Sequence, residues 1–367
     1  MKKFLFLLLL PLIGFGQFNP IAFYEYGALK NPILIGSTYA VSNKWAGGVL
    51  APNGKIYFAP SDATQILQLD PTTNTTSLIG TVYAGTTKWV GGVLAPNGMI
   101  YFSPRDATQI LQLDPTTNTT SLIGTVYAGS NKWLGGVLAP NGKIYFCPYE
   151  STQILQLDPT TNTTSLIGST YAFINKWVGG VLAPNGKIYF TPVNATQILQ
   201  LDPTTNTTSL IGTVYAGTTK WQGGTLAPNG KIYFCPYEST QILQLDPTTN
   251  TTSLIGSVYA GSNKWQGGVL APNGNVYFCP RDATQILKLD PTTNITSLIG
   301  SAYSGTNKWV GGVLAPNGKI YFSPFGQTRI LQLSRVDSPN IISPDDQIPL
   351  PLSGLATSNY NKYYNKL

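Results

Sequence analysis

Apolar residues along this chain come in short runs that return at one fixed spacing. In the first full copy the runs are Gly47 to Ala51 (GGVLA), Lys55 to Phe58 (KIYF), Thr64 to Leu69 (TQILQL) and Ser77 to Tyr83. Runs this short, rich in Val, Ile, Tyr and Phe and bounded by turn residues, predict strands. Pro52-Asn53-Gly54 between the first two is a tight hairpin, because Asn-Gly accepts the positive φ such turns require. Asp70-Pro71-Thr72-Thr73-Asn74 forms a second turn, with Asp and Pro in their favoured early positions. Pro60 to Ala63 is a variable connection. Runs such as Ile66-Leu67 do not alternate strictly, which suits strands covered on both faces.

Tryptophan marks the period. Trp45, Trp89, Trp133, Trp177, Trp221, Trp265 and Trp309 follow one another at intervals of 44 residues, the length of a four-stranded propeller blade. A solenoid would share that periodicity, so the chain ends decide. The last copy leaves the pattern at Ser334 and lacks its fourth strand, while Pro32 to Ala40 matches Thr76 to Ala84 and supplies one at the front. Joined, the two ends make a complete blade and remove both open sheet edges. The Gly-Gly pair after each Trp fits strands crowded around an axis, where only backbone has room. The predicted fold is therefore all-β: a seven-bladed β-propeller of four-stranded antiparallel blades over 31–334, closed by the N-terminal strand joining the last repeat.

The units W-x-G-G-V-L-A-P-N-G-K-I-Y-F and L-Q-L-D-P-T-T-N resemble the blades of secreted bacterial β-propellers of the NHL and streptogramin-lyase-like style. The resemblance covers Asn31 to Leu333. The Gly-His and Trp-Asp signatures of WD40 blades and the kelch pattern are absent from the repeats. Streptogramin-lyase-like enzymes rely on a histidine; this chain has none, so that activity does not carry over with the fold.

Composition adds a compartment. Lys2 and Lys3, the apolar stretch Phe4 to Ile13 and Gly14-Phe15-Gly16 read as a signal peptide over 1–16, cut between Gly16 and Gln17, for a secreted, periplasmic or cell-surface protein. Residues 17–30 form a lead-in and 335–367 a tail. The apolar stretch is shorter than the ~20 residues that span a bilayer, so no transmembrane segment is expected. Charged residues make up 10% of the chain, against roughly 25% in ordinary domains. Without Lys2 and Lys3 the formal charge falls from +7 to +5 (20 Lys+Arg against 15 Asp+Glu), which is weak for nucleic-acid binding. Cys147, Cys235 and Cys279 share one repeat slot with Ala59, Ser103, Thr191 and Ser323. It reads as a small, half-buried position, and no disulfides are expected.

Chemistry is sparse. Absence of histidine removes the commonest general base and zinc ligand, and no cofactor or metal is expected. Asp70, Asp114, Asp158, Asp202, Asp246 and Asp290 occupy the Asp-Pro turn and read as turn formers. Asp62, Asp106, Glu150, Glu238 and Asp282 lie between second and third strands, where carboxylates from neighbouring blades could pair as acid and base. That slot also holds Asn194 and Gly326. A non-catalytic reading is preferred. The Asn-x-Thr matches, such as Asn74-Thr75-Thr76, read as turn residues.

Variation among copies is confined. The APNG and DPTTNTT turns are almost frozen, while differences gather in the fourth-to-first and second-to-third loops, which emerge on one face. Ser61-Asp62, Arg105-Asp106, Tyr149-Glu150, Val193-Asn194, Tyr237-Glu238, Arg281-Asp282 and Phe325-Gly326 make up the second group. Drift in exposed loops accounts for the pattern equally well. The same face carries Lys44, Lys88, Lys132, Lys176, Lys220, Lys264 and Lys308, each before its Trp. These Lys-Trp pairs are either repeated shallow sites, indole stacking on sugar with ammonium on hydroxyls or anions, or blade wedges with a solvated lysine rim. Tyr149 and Tyr237 are the better exposed aromatic candidates. Some lectin-like propellers resemble this chain in having near-identical blades, which implies a multivalent binder of carbohydrate or cell-surface polymer. The alternative is a protein-interaction scaffold using the Pro-, Asn- and Tyr-rich tail. A monomeric propeller is expected.

Overall fold

The computed structural model describes residues 31–40 and 42–334; the leader, the lead-in to residue 30 and the tail lie outside them. The described residues form seven four-stranded antiparallel sheets. In the first blade the strands are Trp45–Leu50 innermost, then Ile56–Pro60, Ile66–Asp70 and Thr75–Ile79 outermost. The inner hairpin carries a bulge: Trp45 pairs with Pro60 but Gly48 with Phe58.

Closure follows the predicted route. Ile33–Ile35 is the outermost strand of the seventh blade, with Ile33 opposite Gln332, Leu34 opposite Leu331 and Ile35 opposite Ile330. The front of the chain thus completes a sheet begun some 300 residues later, and every blade is locked to two neighbours.

Strand ends differ from the sequence prediction, most of all in the fourth strand, which stops at Ile79 and not at Tyr83. Gly80 takes φ +78° and turns the chain out of the sheet. Thr81 N then donates to Thr120 Oγ1 of the next blade, and Tyr83 lies edge-on to Trp89 at 5.1 Å. What looked like strand is a strap across the blade junction.

The core lies between blades. Trp45, Phe58 and Leu67 of the first blade pack with Val313, Tyr321 and Ile330 of the seventh. Each Trp is fixed as well as buried: Trp45 Nε1 donates to Gln65 O at 2.9 Å. The frozen turns have their own reason. Asn53 Nδ2 donates to Tyr57 Oη at 2.8 Å and to Pro115 O of the next blade at 3.0 Å. Gln68 Nε2 donates to Asn118 Oδ1 at 2.9 Å. In six of the seven blades one turn is therefore read by the other turn of the neighbour, and Asn317 Nδ2 to Pro71 O at 3.0 Å carries the latch across the closure.

The cysteine slot is fully buried, not half-buried. Cys147, Cys235 and Cys279 are free thiols with no exposed surface. The slot faces the next blade, where Ser103 Oγ donates to Trp133 O at 2.9 Å. No helix among the described residues is long and apolar enough to cross a membrane.

Candidate ligand-binding face

Both variable loop types meet on one face, as their bonding shows: Lys88 N donates to Ser61 O, and Thr87 N to Asp62 Oδ1 at 2.7 Å. Asp106 and Asp282 repeat that cap on Asn131 N and Asn307 N, both at 2.6 Å, and Asn194 caps Thr219 N at 2.8 Å. Glu238, one methylene longer, meets Asn263 N at 3.3 Å. The acidic slot is thus a fastener between successive blades. Glu150 lines a cleft of about 430 Å³ with Tyr127, Lys132 and Trp133.

The Lys-Trp ring is not a set of stacking sites. Trp45, Trp89, Trp133, Trp177, Trp221, Trp265 and Trp309 expose at most 2% of their surface, because each wedges between sheets. The lysines do not solvate the rim either. Lys44, Lys88, Lys132, Lys176, Lys220, Lys264 and Lys308 are buried, and the ammonium groups tie blades together through backbone carbonyls. Lys88 Nζ donates to Ser61 O of the preceding blade at 2.8 Å and to Gly85 O at 2.6 Å. Lys220 Nζ does the same to Val193 O and Gly217 O at 2.9 and 2.8 Å. Loss of water pushes the Lys44, Lys176 and Lys220 ammonium groups down to about 8, and lowers the other four in the same direction.

Side chains from these loops reach the innermost strands. Of the residues after each second-strand proline, Arg105, Tyr149, Arg281 and Phe325 are half-buried, whereas Ser61, Val193 and Tyr237 are buried. Arg281 stacks 5.1 Å from the Tyr237 ring and 5.7 Å from the Phe325 ring, one on each side of it in sequence. Burial pushes the Tyr149 phenol up; Arg105 of the neighbouring blade and Arg281, three blades on, both draw it back. Tyr237 is more enclosed than expected, 4% exposed, and its phenol is pushed up to about 12, chiefly by burial. Tyr149 is half-buried.

The residue following each Trp contributes as well. Leu134 and Val178 pack with Val193 and Tyr149, and Gln266 Oε1 accepts from Arg281 Nη1 at 2.7 Å. This slot reads Ala46, Val90, Leu134, Val178, Gln222, Gln266, Val310 between invariant Lys-Trp and Gly-Gly. That confined variation was the signal available for it. Between the innermost strands lies an axial cavity of about 280 Å³ lined by fourteen glycines. The face is therefore asymmetric in a nearly symmetric ring: arginine, tyrosine and phenylalanine on some blades, small or aliphatic residues on others. Among the described residues no three His, Cys, Asp or Glu side chains are grouped to hold a metal.

No family model matches this chain, and no curated protein matches it. Solved structures do. A streptogramin B lyase superimposes with a TM-score of 0.68 at 18% identity, over 84% of this chain and 99% of that one. Virginiamycin B lyase from Staphylococcus aureus, as a catalytically inactive histidine-to-alanine variant with quinupristin, gives 0.67 at 13% identity, over 82% and 98%. The extracellular domain of a hybrid two-component system from B. thetaiotaomicron gives 0.59 at 13%, over 81% of this chain and 40% of that one. The chain is a seven-bladed propeller similar in fold to these bacterial lyases and extracellular domains.

Proposed function

We propose that this protein is an exported, non-catalytic binding protein that takes a carbohydrate or cell-surface polymer at the axial mouth of its variable-loop face. The observation that carries the reading is the cluster of Arg281 with the Tyr237 and Phe325 rings beside the innermost strands, with half-buried Arg105 and Tyr149 in the same slot of their own blades. Loops on a rigid scaffold are where recognition is placed, and aromatic and arginine side chains are the usual anchors. Burial of all seven Lys-Trp pairs weighs against seven equivalent sites and in favour of one composite site per chain.

Similarity to extracellular domains of a hybrid two-component system and of a one-component system supports a binding role outside the cell. Catalysis is the weaker reading. The similar virginiamycin B lyase is inactive once a histidine is replaced, and no histidine occurs anywhere in this chain. A glycan array combined with whole-cell binding tests the proposal, with tyrosine and lysine labelling to locate the ligand. Retention of glycan or cell-surface polymer at one equivalent per chain, with Tyr149 protected, is expected. Negative results in both assays discard it.

A further inference from the structure

Two arginines narrow the ligand's chemistry. Arg281 Nε and Nη2 donate to Asn307 Oδ1 at 2.9 and 2.6 Å, and Nη1 donates to Gln266 Oε1 at 2.7 Å. With Tyr237 on one side and Phe325 on the other, the guanidinium is fixed in orientation. A guanidinium has five N–H donors in one plane, so two stay unused. Arg105 is anchored only through Nε, to Asn131 Oδ1 at 2.8 Å.

Neither arginine meets an acid. Among the described residues the ion pairs are Lys143–Asp158 and Lys231–Asp246, both on the opposite face. The carboxylates beside the arginines in sequence, Asp106 and Asp282, are committed to the backbone amides of Asn131 and Asn307. Nor is arginine needed to join blades here, since Ser61 and Val193 fill the same slot at other junctions. The surrounding charge is one-sided. Seven lysines and three arginines (Arg105, Arg281 and the peripheral Arg329) stand against five carboxylates on the variable-loop face, while six lysines and six aspartates balance on the other. This excess of basic over acidic side chains puts the face in a positive field.

Resting on the binding function proposed above, we infer that the ligand is an acidic saccharide, its carboxylates met by Arg281 and Arg105 and its sugar rings by the half-buried Tyr149 and Phe325, with Tyr237 holding Arg281 from beneath. A planar fork suits a carboxylate, and flat rings beside it suit the apolar face of a pyranose. A bare inorganic anion uses the arginines but leaves the rings without contact.

The test compares binding of a galacturonate oligomer with that of its methyl ester to the full chain by calorimetry, with inorganic phosphate as a third probe. The acid is expected to bind about ten- to a hundredfold more tightly than the ester, the range set by a charge-assisted hydrogen bond. Raising salt should narrow the gap, and Arg281→Gln and Arg105→Gln should each reduce it, while Arg281→Lys keeps part of it. Equal affinity for acid and ester, binding of neither, or phosphate binding as tight as the oligomer overturns the inference. Each of these is read on the wild-type chain, so a variant that fails to fold does not obscure the answer. If neutral glycans bind in the array while acid and ester do not differ, the binding function stands and this deduction alone falls.

Discussion

Crowding at the propeller axis predicts a graded response to one added methyl group. Gly267 and Gly274 lie in the same blade with φ of +81° and +79°, so alanine at either incurs the same left-handed backbone penalty of roughly 1–2 kcal/mol. A gain of about 0.4–1 kcal/mol from the stiffer unfolded chain offsets part of it at both sites. Their surroundings differ. A Cβ on Gly274 meets nothing within 4 Å, whereas on Gly267 it lies 2.9 Å from Gly311 Cα and 3.4 Å from Gly311 N. Both obstacles are backbone of the next inner strand and cannot rotate away. Overpacking of that kind costs about 1–3 kcal/mol, so Gly267→Ala should be less stable than Gly274→Ala by that amount. Gly179 supplies the control, because its Cβ meets Gly223 Cα at 3.8 Å, ordinary contact. Urea unfolding of the three variants, at unchanged m-value, reads the order directly. Equal midpoints for Gly267→Ala and Gly274→Ala would refute the claim that glycine is there to let inner strands meet.

Three further outcomes follow from the bonding. Glu238→Asp should stabilise the chain by about 0.5–1 kcal/mol, since Asp62, Asp106 and Asp282 cap the next loop at 2.6–2.7 Å where Glu238 reaches 3.3 Å; an unchanged or lower Tm contradicts the fastener role. Ile35→Asp puts a carboxylate into the core shared by Tyr321 and Ile330, at a cost of about 3 kcal/mol or more, and limited proteolysis should cut first near the closure. With Cys147→Ser, Cys235→Ser and Cys279→Ser removing the buried thiols, whose raised pKa would pull the other way, stability should rise from pH 8 to 9. Folding lowers Lys44, Lys176 and Lys220 from 10.5 to about 8, so in that window the unfolded chain holds more protons and deprotonation favours the fold. A urea midpoint of that variant that falls from pH 8 to 9 would show that the ammonium groups are not desolvated.

Blade number, closure and the sharing of one face by the variable loops were legible because each depends on the chain's own period. The places where the sequence misled are those governed by a neighbouring blade. Nothing near Gly80 says that Thr120, forty residues on, will hold Thr81 and end the fourth strand. Lys88 looks like a rim cation until the ring brings Ser61 O to within 2.8 Å of its ammonium. Tyr237 looked exposed because its loop is, yet Arg281 from the next repeat covers its ring. The slot after each tryptophan varied in plain sight, but it sits inside a strand beside Gly-Gly and drew no notice among the loops.

Duplication of one blade builds a symmetric scaffold, and a ligand smaller than the ring can sense asymmetry only where repeats come within reach of one another. At the circumference they do not: Leu78, Leu122, Leu166, Leu210, Leu254 and Leu298 present the same partly exposed side chain blade after blade. Beside the innermost strands they do, because Arg281 meets the rings of Tyr237 and Phe325 from the blades on either side. Substitutions in two slots of a 44-residue unit therefore have unequal value. Those on the perimeter change one seventh of a repeating surface, while those beside the axis change a single shared site. Arginine, tyrosine and phenylalanine enter the inner slot at the second, third, fifth, sixth and seventh blades and leave the turns opposite untouched. Under the binding function proposed above, recognition falls where near-identical blades act as different residues of one pocket.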